Sequence, residues 1–471
     1  MPGSRARQAP SVTDSVLIIG GGVAGLTTAL ACAEAGGRAI VVERDAVVGG
    51  KLAAAMTEKS SVGASIDGVP IPKLATLESN DNIEIITLAD VQEIDGRPGN
   101  FEVTIRERQR FVTEDCTRCN HCRPVCPVVK PNEHDAGLSY RKAIYTPLSE
   151  TLPQAFVIDI DACLNTPPNY LPCNRCTEVC DDDAIFFDLP PERTHHRQVG
   201  AVVIAAGFGL APEGSATERG YGEYADVVTT AEMERLLTAP GPTGGFAARP
   251  SNEEYAERVL FVINDLTPFT IGTVTSQVRR LQLQDVGDIA LLLTFQPGQG
   301  EQDSLLPRLP PGLTCSHGLL RKIETSDAGK LKVTYADLTS SRIPEEEFDL
   351  VVLGTDARPV SGLDLLAGTL GVDLAGSGYV ARPDAEHPCA SSRAGIYVAG
   401  GAGGPVILDN AVAEARAAAA AALAHLDPRL LGEGHTPVAQ PVAPPAAAGL
   451  TEVELQARIE RALFAMLETS E

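Results

Sequence analysis

The sequence predicts an α/β fold of two parallel-sheet domains, the first interrupted by a cysteine-rich segment. Three observations carry this. An apolar run, a glycine-rich turn, a helix-forming stretch and a second apolar run open the chain at 15–43. A second set of buried-strand and helix patterns fills 256–353. Eight of the eleven cysteines fall between Cys116 and Cys180. The 471 residues exceed one ordinary core and suit two or three domains.

The opening stretch, "SVLIIGGGVAGLTTALACAEAGGRAIVVE", sets Gly20, Gly22 and Gly25 in G-x-G-x-x-G spacing between strand and helix. Gly20 permits the tight turn, Gly22 lets the backbone approach a pyrophosphate, and Gly25 lets helix and strand pack closely. Val23 and Ala24 complete the motif at the helix N-terminus, which favours phosphate charge. Glu43 ends the second strand, where a carboxylate accepts ribose hydroxyls. The glycine motif alone is a weak signal. With strand, helix and terminal acid in place it predicts a dinucleotide site.

The cofactor expected there is FAD. "RDAVVGGKL" follows Glu43, and a Gly-Gly pair followed by a basic residue is typical of FAD-binding folds, which brings Arg44, Gly50 and Lys51 to the site. Lys51 is the one catalytic candidate, a cation for the flavin or its pyrophosphate. "AVVIAAGFG" (201–209) is a strand ending in a small-residue turn at Ala206 and Gly207. "AGIYVAGGAGGPVILDNAVAEARAAAAAAL" (394–423) reads as strand, glycine turn and Ala-rich helix. It offers Gly400, Gly401 and a helix start near Leu408.

In 256–353, "ERVLFVIND" and "DIALLLTF" read as buried strands, with "TSQVRRLQL" as the helix between them. The block resembles the second nucleotide-binding domain of disulfide-reductase-like flavoproteins. Its first turn, "NDLTPFTIGTV", lacks G-x-G-x-x-G, so NAD(P)H binding is not expected. A Pro/Ala linker is read at 427–449, followed by a helix at 450–471 with apolar residues at helical spacing. That helix packs on its own domain or docks on a partner.

The cysteine spacings are Cys116-x2-Cys119-x2-Cys122-x3-Cys126-Pro, then Cys163-x9-Cys173-x2-Cys176-x3-Cys180. The first run matches the bacterial ferredoxin pattern, in which the fourth cysteine ligates the other cluster. The match implies a crossed assignment. Cys116, Cys119, Cys122 and Cys180 would hold one [4Fe–4S] cluster, and Cys126, Cys163, Cys173 and Cys176 the other. The competing reading is two structural zinc sites, which use four ligands each, usually as two separated pairs. Cys32, Cys315 and Cys389 read as structural residues. His121 lies among ligands whose count is already complete. His195 and His196 read as a solvated turn, and the "DDD" at 181–183 as a solvated acidic turn or as charge that lowers a cluster's potential.

Composition excludes other classes. A net charge of −24 and the absence of Trp argue against nucleic-acid binding. No run reaches the ~18 apolar residues of a membrane span. The first fifteen residues lack an apolar h-region and read as a short disordered arm rather than a signal peptide. The expected location is the cytoplasm, with any membrane association made through partner subunits.

Taken with "PKL" (72–74), "GNFEVTI", "PNEHDAGLSYRKAIYTP" and "VIDIDAC", these stretches resemble the flavoprotein A subunit of heterodisulfide reductase (HdrA) and its quinone-interacting relatives (QmoA-type), over roughly 15–425. The resemblance implies a thioredoxin-reductase-like flavoprotein of two dinucleotide-binding domains with an inserted two-cluster bacterial-type ferredoxin domain. Its expected divisions are a discontinuous FAD-binding domain (14–107, 192–250, 354–426), the insert (108–191) and a second nucleotide-binding-like domain (251–353). It implies an electron-transfer oxidoreductase subunit, working with HdrB/HdrC-like or quinone-interacting subunits and compatible with a homodimer. The sequence departs from the family in lacking cysteines at 51–115 and in the turn after 263, and in lacking extra N- and C-terminal domains, so shorter electron wiring is expected. Two other functions compete. One is a self-sufficient NAD(P)H-dependent enzyme resembling the small subunit of glutamate synthase. The other is a scaffold subunit that does not turn over.

Overall fold

The computed structural model describes residues 14–426, except 52–64, 67–68, 71, 148–151, 167–168, 213–215, 265, 295–305, 341 and 385. The N-terminal arm, the 427–449 linker and the 450–471 helix read from the sequence lie outside the described residues.

The opening motif forms strand Ser15–Ile19, helix Val23–Glu34 and strand Arg38–Val42. These join a five-stranded parallel sheet in the order Ile396–Val398, Ala201–Ile204, Ser15–Ile19, Arg38–Val42, Ile83–Ile86. Three segments far apart in the chain thus build one sheet. Their continuous apolar runs fit strands buried on both faces. Over one face lie helices Val23–Glu34 and Leu408–Leu426, which meet through small side chains such as Ala29, Cys32, Ala415, Ala418 and Ala422. Thr28 Oγ1 donates to Ala415 O at 3.3 Å, so the two helices approach closely. The other face packs Leu17, Ile19, Val42 and Ile204 against Phe101, Val103 and Ile105 of a three-stranded antiparallel sheet.

The cysteine segment leaves and re-enters through that small sheet. Strands Asn100–Arg108 and Glu192–Val199 pair antiparallel, with Arg108 opposite Glu192, and Gln109 N donates to Pro191 O at 2.8 Å. The ends of the insert therefore lie side by side, like those of a hairpin loop. His195 and His196 belong to the second of these strands, not to a solvated turn. His195 Nε2 lies 2.7 Å from Glu107 Oε2 across the pair, a long-range pairing that the local polarity conceals.

A second unit holds a seven-stranded sheet. Val227–Thr229, Leu350–Leu353, Arg258–Ile263, Asp288–Leu293 and Thr314–Thr325 run parallel, and Leu331–Asp337 and Glu345–Phe348 add an antiparallel edge. The expected boundary at 250 put Val227–Thr229 in the first domain. It is the edge strand of the second sheet, and three residues leave too little periodicity to assign it locally. The helix of this unit is also longer than expected and runs Pro268–Leu283. Thr267 caps it and Pro268 suits its first turn, so part of the apparent loop is helix. An antiparallel pair, Phe208–Pro212 with Thr355–Pro359, links the two units.

The small-residue helix contact makes a direct prediction. Ala418 is fully buried and Ala417 is exposed. Ala418→Leu should destabilise the chain by about 1–3 kcal/mol through overpacking. Ala417→Leu should stay within about 0.5 kcal/mol of the parent. Urea midpoints measured on both variants check this.

Candidate cofactor and cluster sites

The glycine motif places backbone where side chains cannot go. Gly20 has φ +112°, and a Cβ there would lie 2.4 Å from Ala205 O. A Cβ on Gly25 would lie 1.8 Å from Gly20 O, so this glycine is needed by the fold itself. Gly22 is different: nothing lies within 4 Å of its Cβ position. It precedes helix Val23–Glu34 with no side-chain cap, leaving the first-turn N–H groups at Val23 and Ala24 to an outside acceptor.

The other sequence-predicted residues gather around this turn. Gly20, Glu43, Arg44 and Ala206 line one open cavity of ≈ 440 Å³, together with Val360–Leu363 and Leu366. Glu43 Oε2 accepts from Gly21 N at 2.5 Å and Oε1 from Asp45 N at 2.8 Å. Burial pushes its carboxyl pKa up, and these two N–H bonds oppose the shift. Arg44 donates to Ser361 O at 2.8 Å across the cavity mouth. Gly50, at φ +57°, crosses so close to Gly22 that a Cβ would lie 3.0 Å from its Cα. Gly400, at φ +59°, would place one 2.8 Å from Ala24 Cβ. Gly207 is open, at φ +72°. A Cβ on Gly401 would meet Phe208 at 2.4 Å, so an acidic side chain there would displace that ring. Lys51 donates to Phe208 O and lies 5.1 Å over its ring, beside the 206–208 turn. Leu408 begins the closing helix.

The insert contains two hollows. One is lined by Cys116, Cys119, Cys122 and Cys180. The other is lined by Cys126, Cys163, Cys173 and Cys176. This division is the one the ferredoxin spacing implies, and Ile144 forms part of both walls. Helical turns Cys122–Val125 and Arg175–Glu178 carry the inner cysteines. Burial first, then neighbouring Cys116, Cys176 and Cys119, pushes the Cys122 thiol up to about 12. Burial likewise takes Cys176 to about 11. A bound cation would favour the thiolate form of these two buried thiols.

Two ties around the first hollow carry no local sequence signal. Asp182 accepts from Thr117 N at 2.9 Å and from Thr117 Oγ1 at 2.7 Å. His121 Nδ1 pairs with Asp181 at 2.8 Å. The acidic run thus fastens the last cysteine to the first cysteine run. Of the remaining cysteines, Cys32 and Cys389 are buried, but Cys315 is exposed on its strand rather than part of a core.

The corresponding turn of the second unit is built differently. Thr267 Oγ1 already accepts from Thr270 N at 3.1 Å, and Pro268 brings no N–H. Asn264 Oδ1, at the strand end, accepts from Arg219 at 2.8 Å and Thr294 at 2.5 Å.

An open Gly22 beside an uncapped helix, in a parallel sheet with a terminal glutamate, defines a dinucleotide-binding flavoprotein fold. Residues 15–61 match the family model of an FAD binding domain. Over 435 residues the chain is 31% identical to the A subunit of the H(2):CoB-CoM heterodisulfide,ferredoxin reductase of Methanothermobacter thermautotrophicus, covering 88% of this chain and 64% of that one. It is 34% identical to the second iron-sulfur A subunit of the CoB--CoM heterodisulfide reductase of Methanopyrus kandleri, over 87% of this chain and 64% of that one. By sequence the chain is similar to heterodisulfide reductase A subunits, and it spans just under two thirds of these relatives' length. The solved thioredoxin reductase of Lactococcus lactis aligns at TM-score 0.44 and 13% identity, over 88% of this chain and 98% of that one. Among the described residues, no helix is long and apolar enough to cross a membrane.

Two glycines of the motif separate fold from binding. Gly25→Ala should destabilise the chain by at least about 1–3 kcal/mol. Gly22→Ala should leave unfolding of the flavin-free chain within about 0.5 kcal/mol of the parent, yet weaken flavin retention at least tenfold, about 1.4 kcal/mol. Denaturant midpoints of stripped protein and flavin titration check both.

Proposed function

We propose that the chain is the electron-transfer flavoprotein subunit of a heterodisulfide-reductase-like oxidoreductase complex, holding FAD and two [4Fe–4S] clusters. When bound, FAD exchanges electrons in pairs and the clusters exchange them singly, which links a two-electron reaction to one-electron carriers. The observation that carries the reading is the division of eight cysteines between two hollows that share a wall. Each set joins residues from both ends of the insert.

The chain's own groups have distinct tasks. The first-turn N–H groups at Val23 and Ala24, with open Gly22 beside them, receive the pyrophosphate. Glu43 keeps lone pairs for ribose hydroxyls beyond its two backbone bonds. Lys51 offers positive charge beside the 206–208 turn. Phe111, Val112, Ile144, Phe156, Ile158 and Ile185 keep water from the inner cysteines. The partners are other redox subunits, of the HdrB/HdrC type or quinone-interacting.

Spacing favours clusters over zinc. Four sulfurs bound to one zinc ion at about 2.3 Å would lie within about 4 Å of one another. Among the described residues, three metal-ligating atoms come within 4.8 Å of one another only at Cys119, His121 and Asp181. The cysteine sets are therefore spread for a larger group. The capped turn at Thr267–Pro268 likewise favours partner subunits over NAD(P)H as the source of electrons.

Crossing is tested by serine replacement. Cys180→Ser should perturb the same electron paramagnetic resonance signal as Cys116→Ser, and Cys126→Ser the same signal as Cys173→Ser. Pairing of Cys180→Ser with Cys173→Ser instead would sink the assignment. In stopped-flow mixing, NADH and NADPH should leave the flavin oxidised over seconds, and rapid bleaching by either would favour a self-sufficient reductase.

A further inference from the structure

The insert touches both α/β units, through different segments. On one side Val48 N donates to Leu152 O at 3.0 Å, and Leu152 packs with Leu26, Val48 and Leu77 of the first unit. Arg110 adds bonds to Ala46 O and, at 3.1 Å, to Thr87 Oγ1. On the other side, loop 132–139 reaches the seven-stranded unit.

That loop is braced before it makes contact. Asn132 N donates to Ser139 O at 2.8 Å, Gly137 N donates to Asn132 O at 2.8 Å, and Asn132 Oδ1 accepts from His134 N at 3.2 Å. One carboxylate oxygen of Asp135 is held inside the loop, by Asn132 Nδ2 at 2.7 Å and by Ser139 Oγ. The other accepts from Arg235 Nε at 3.2 Å and Nη2 at 2.8 Å. Arg235 lies on helix Thr230–Leu236 of the second unit. The pair is nearly buried, with side chains 8% and 11% exposed. Beside it, Leu138 packs against the core containing Met233 and Leu236. The base of the loop is tied to the wall of the second hollow. Lys130 and Arg141 both bond Asp159, at 2.8 and 2.6 Å, and Asp159 O accepts from Cys163 N at 2.9 Å.

Two units joined by a two-stranded ribbon are expected to move relative to one another unless something holds them. We propose that the insert is a clasp: loop 132–139 holds the seven-stranded unit in one orientation against the dinucleotide-binding unit, and the Asp135–Arg235 pair is its catch. Removing either charge breaks the two hydrogen bonds that join loop 132–139 to helix Thr230–Leu236, which loosens the contact on both sides at once. Because the base of the loop is anchored at Asp159 beside Cys163, order in the cysteine insert and orientation of the second unit are coupled.

Amide hydrogen exchange on the full-length, anaerobically purified chain tests this. In Asp135→Asn and in Arg235→Leu, peptides covering 132–139 and 230–237 should both exchange at least tenfold faster. Strands Ser15–Ile19 and Arg258–Ile263 should keep their protection. Glu133→Gln, which alters a pair with Arg141 inside the insert, should leave 230–237 unchanged. Acceleration confined to the segment carrying each substitution overturns the clasp, as does an equal response to Glu133→Gln. If Arg235→Leu does not fold, Asp135→Asn, which keeps the shape and removes only the charge, decides alone.

Discussion

Strand Asn100–Arg108 pairs along its length with Glu192–Val199, and the rest of the structure depends on that pairing. It returns the end of the cysteine insert to the place where it began. A closed neck lets an independent core grow between two neighbouring strands without disturbing the sheet beneath. The core that grows there is small, and cysteines form much of its lining. Small cores of this kind depend on bound metal for stability. The neck also sets the insert against the 46–50 loop, so the hollows and the dinucleotide turn belong to one assembly.

The two sites were legible in the sequence to different degrees, for physical reasons. Gly20 and Gly25 are dictated by backbone clashes that no other residue relieves, so their spacing exposes the turn directly. The cysteine spacing likewise suggested the two sets that the hollows bring together. The contacts that brace these sites were not legible. Thr117 meets Asp182 and Asp135 meets Arg235 across long stretches of chain, and neither pair has a local signature. The acidic run at 181–183 read as a solvated turn or as charge beside a cluster; it is largely exposed, and two of its members also tie the insert together.

The second unit shows how local reading fails. Its helix begins at Pro268, but Thr, Pro and Phe in succession look like a loop until the Thr267 cap is seen. The same cap, with the missing N–H of Pro268, removes donors that a phosphate would need. The unit presents Arg235 and the core around Leu236 to the insert.

The central claim is that crossed cysteine sets place two clusters side by side within a flavin-binding fold. The most direct measurement is the iron, acid-labile sulfide and flavin content of anaerobically purified protein, with electron paramagnetic resonance of the reduced form. The account predicts about eight iron and about eight sulfide per FAD, with reduced signals broadened by magnetic coupling between neighbouring clusters. Zinc in place of iron, or a single uncoupled cluster, would contradict it.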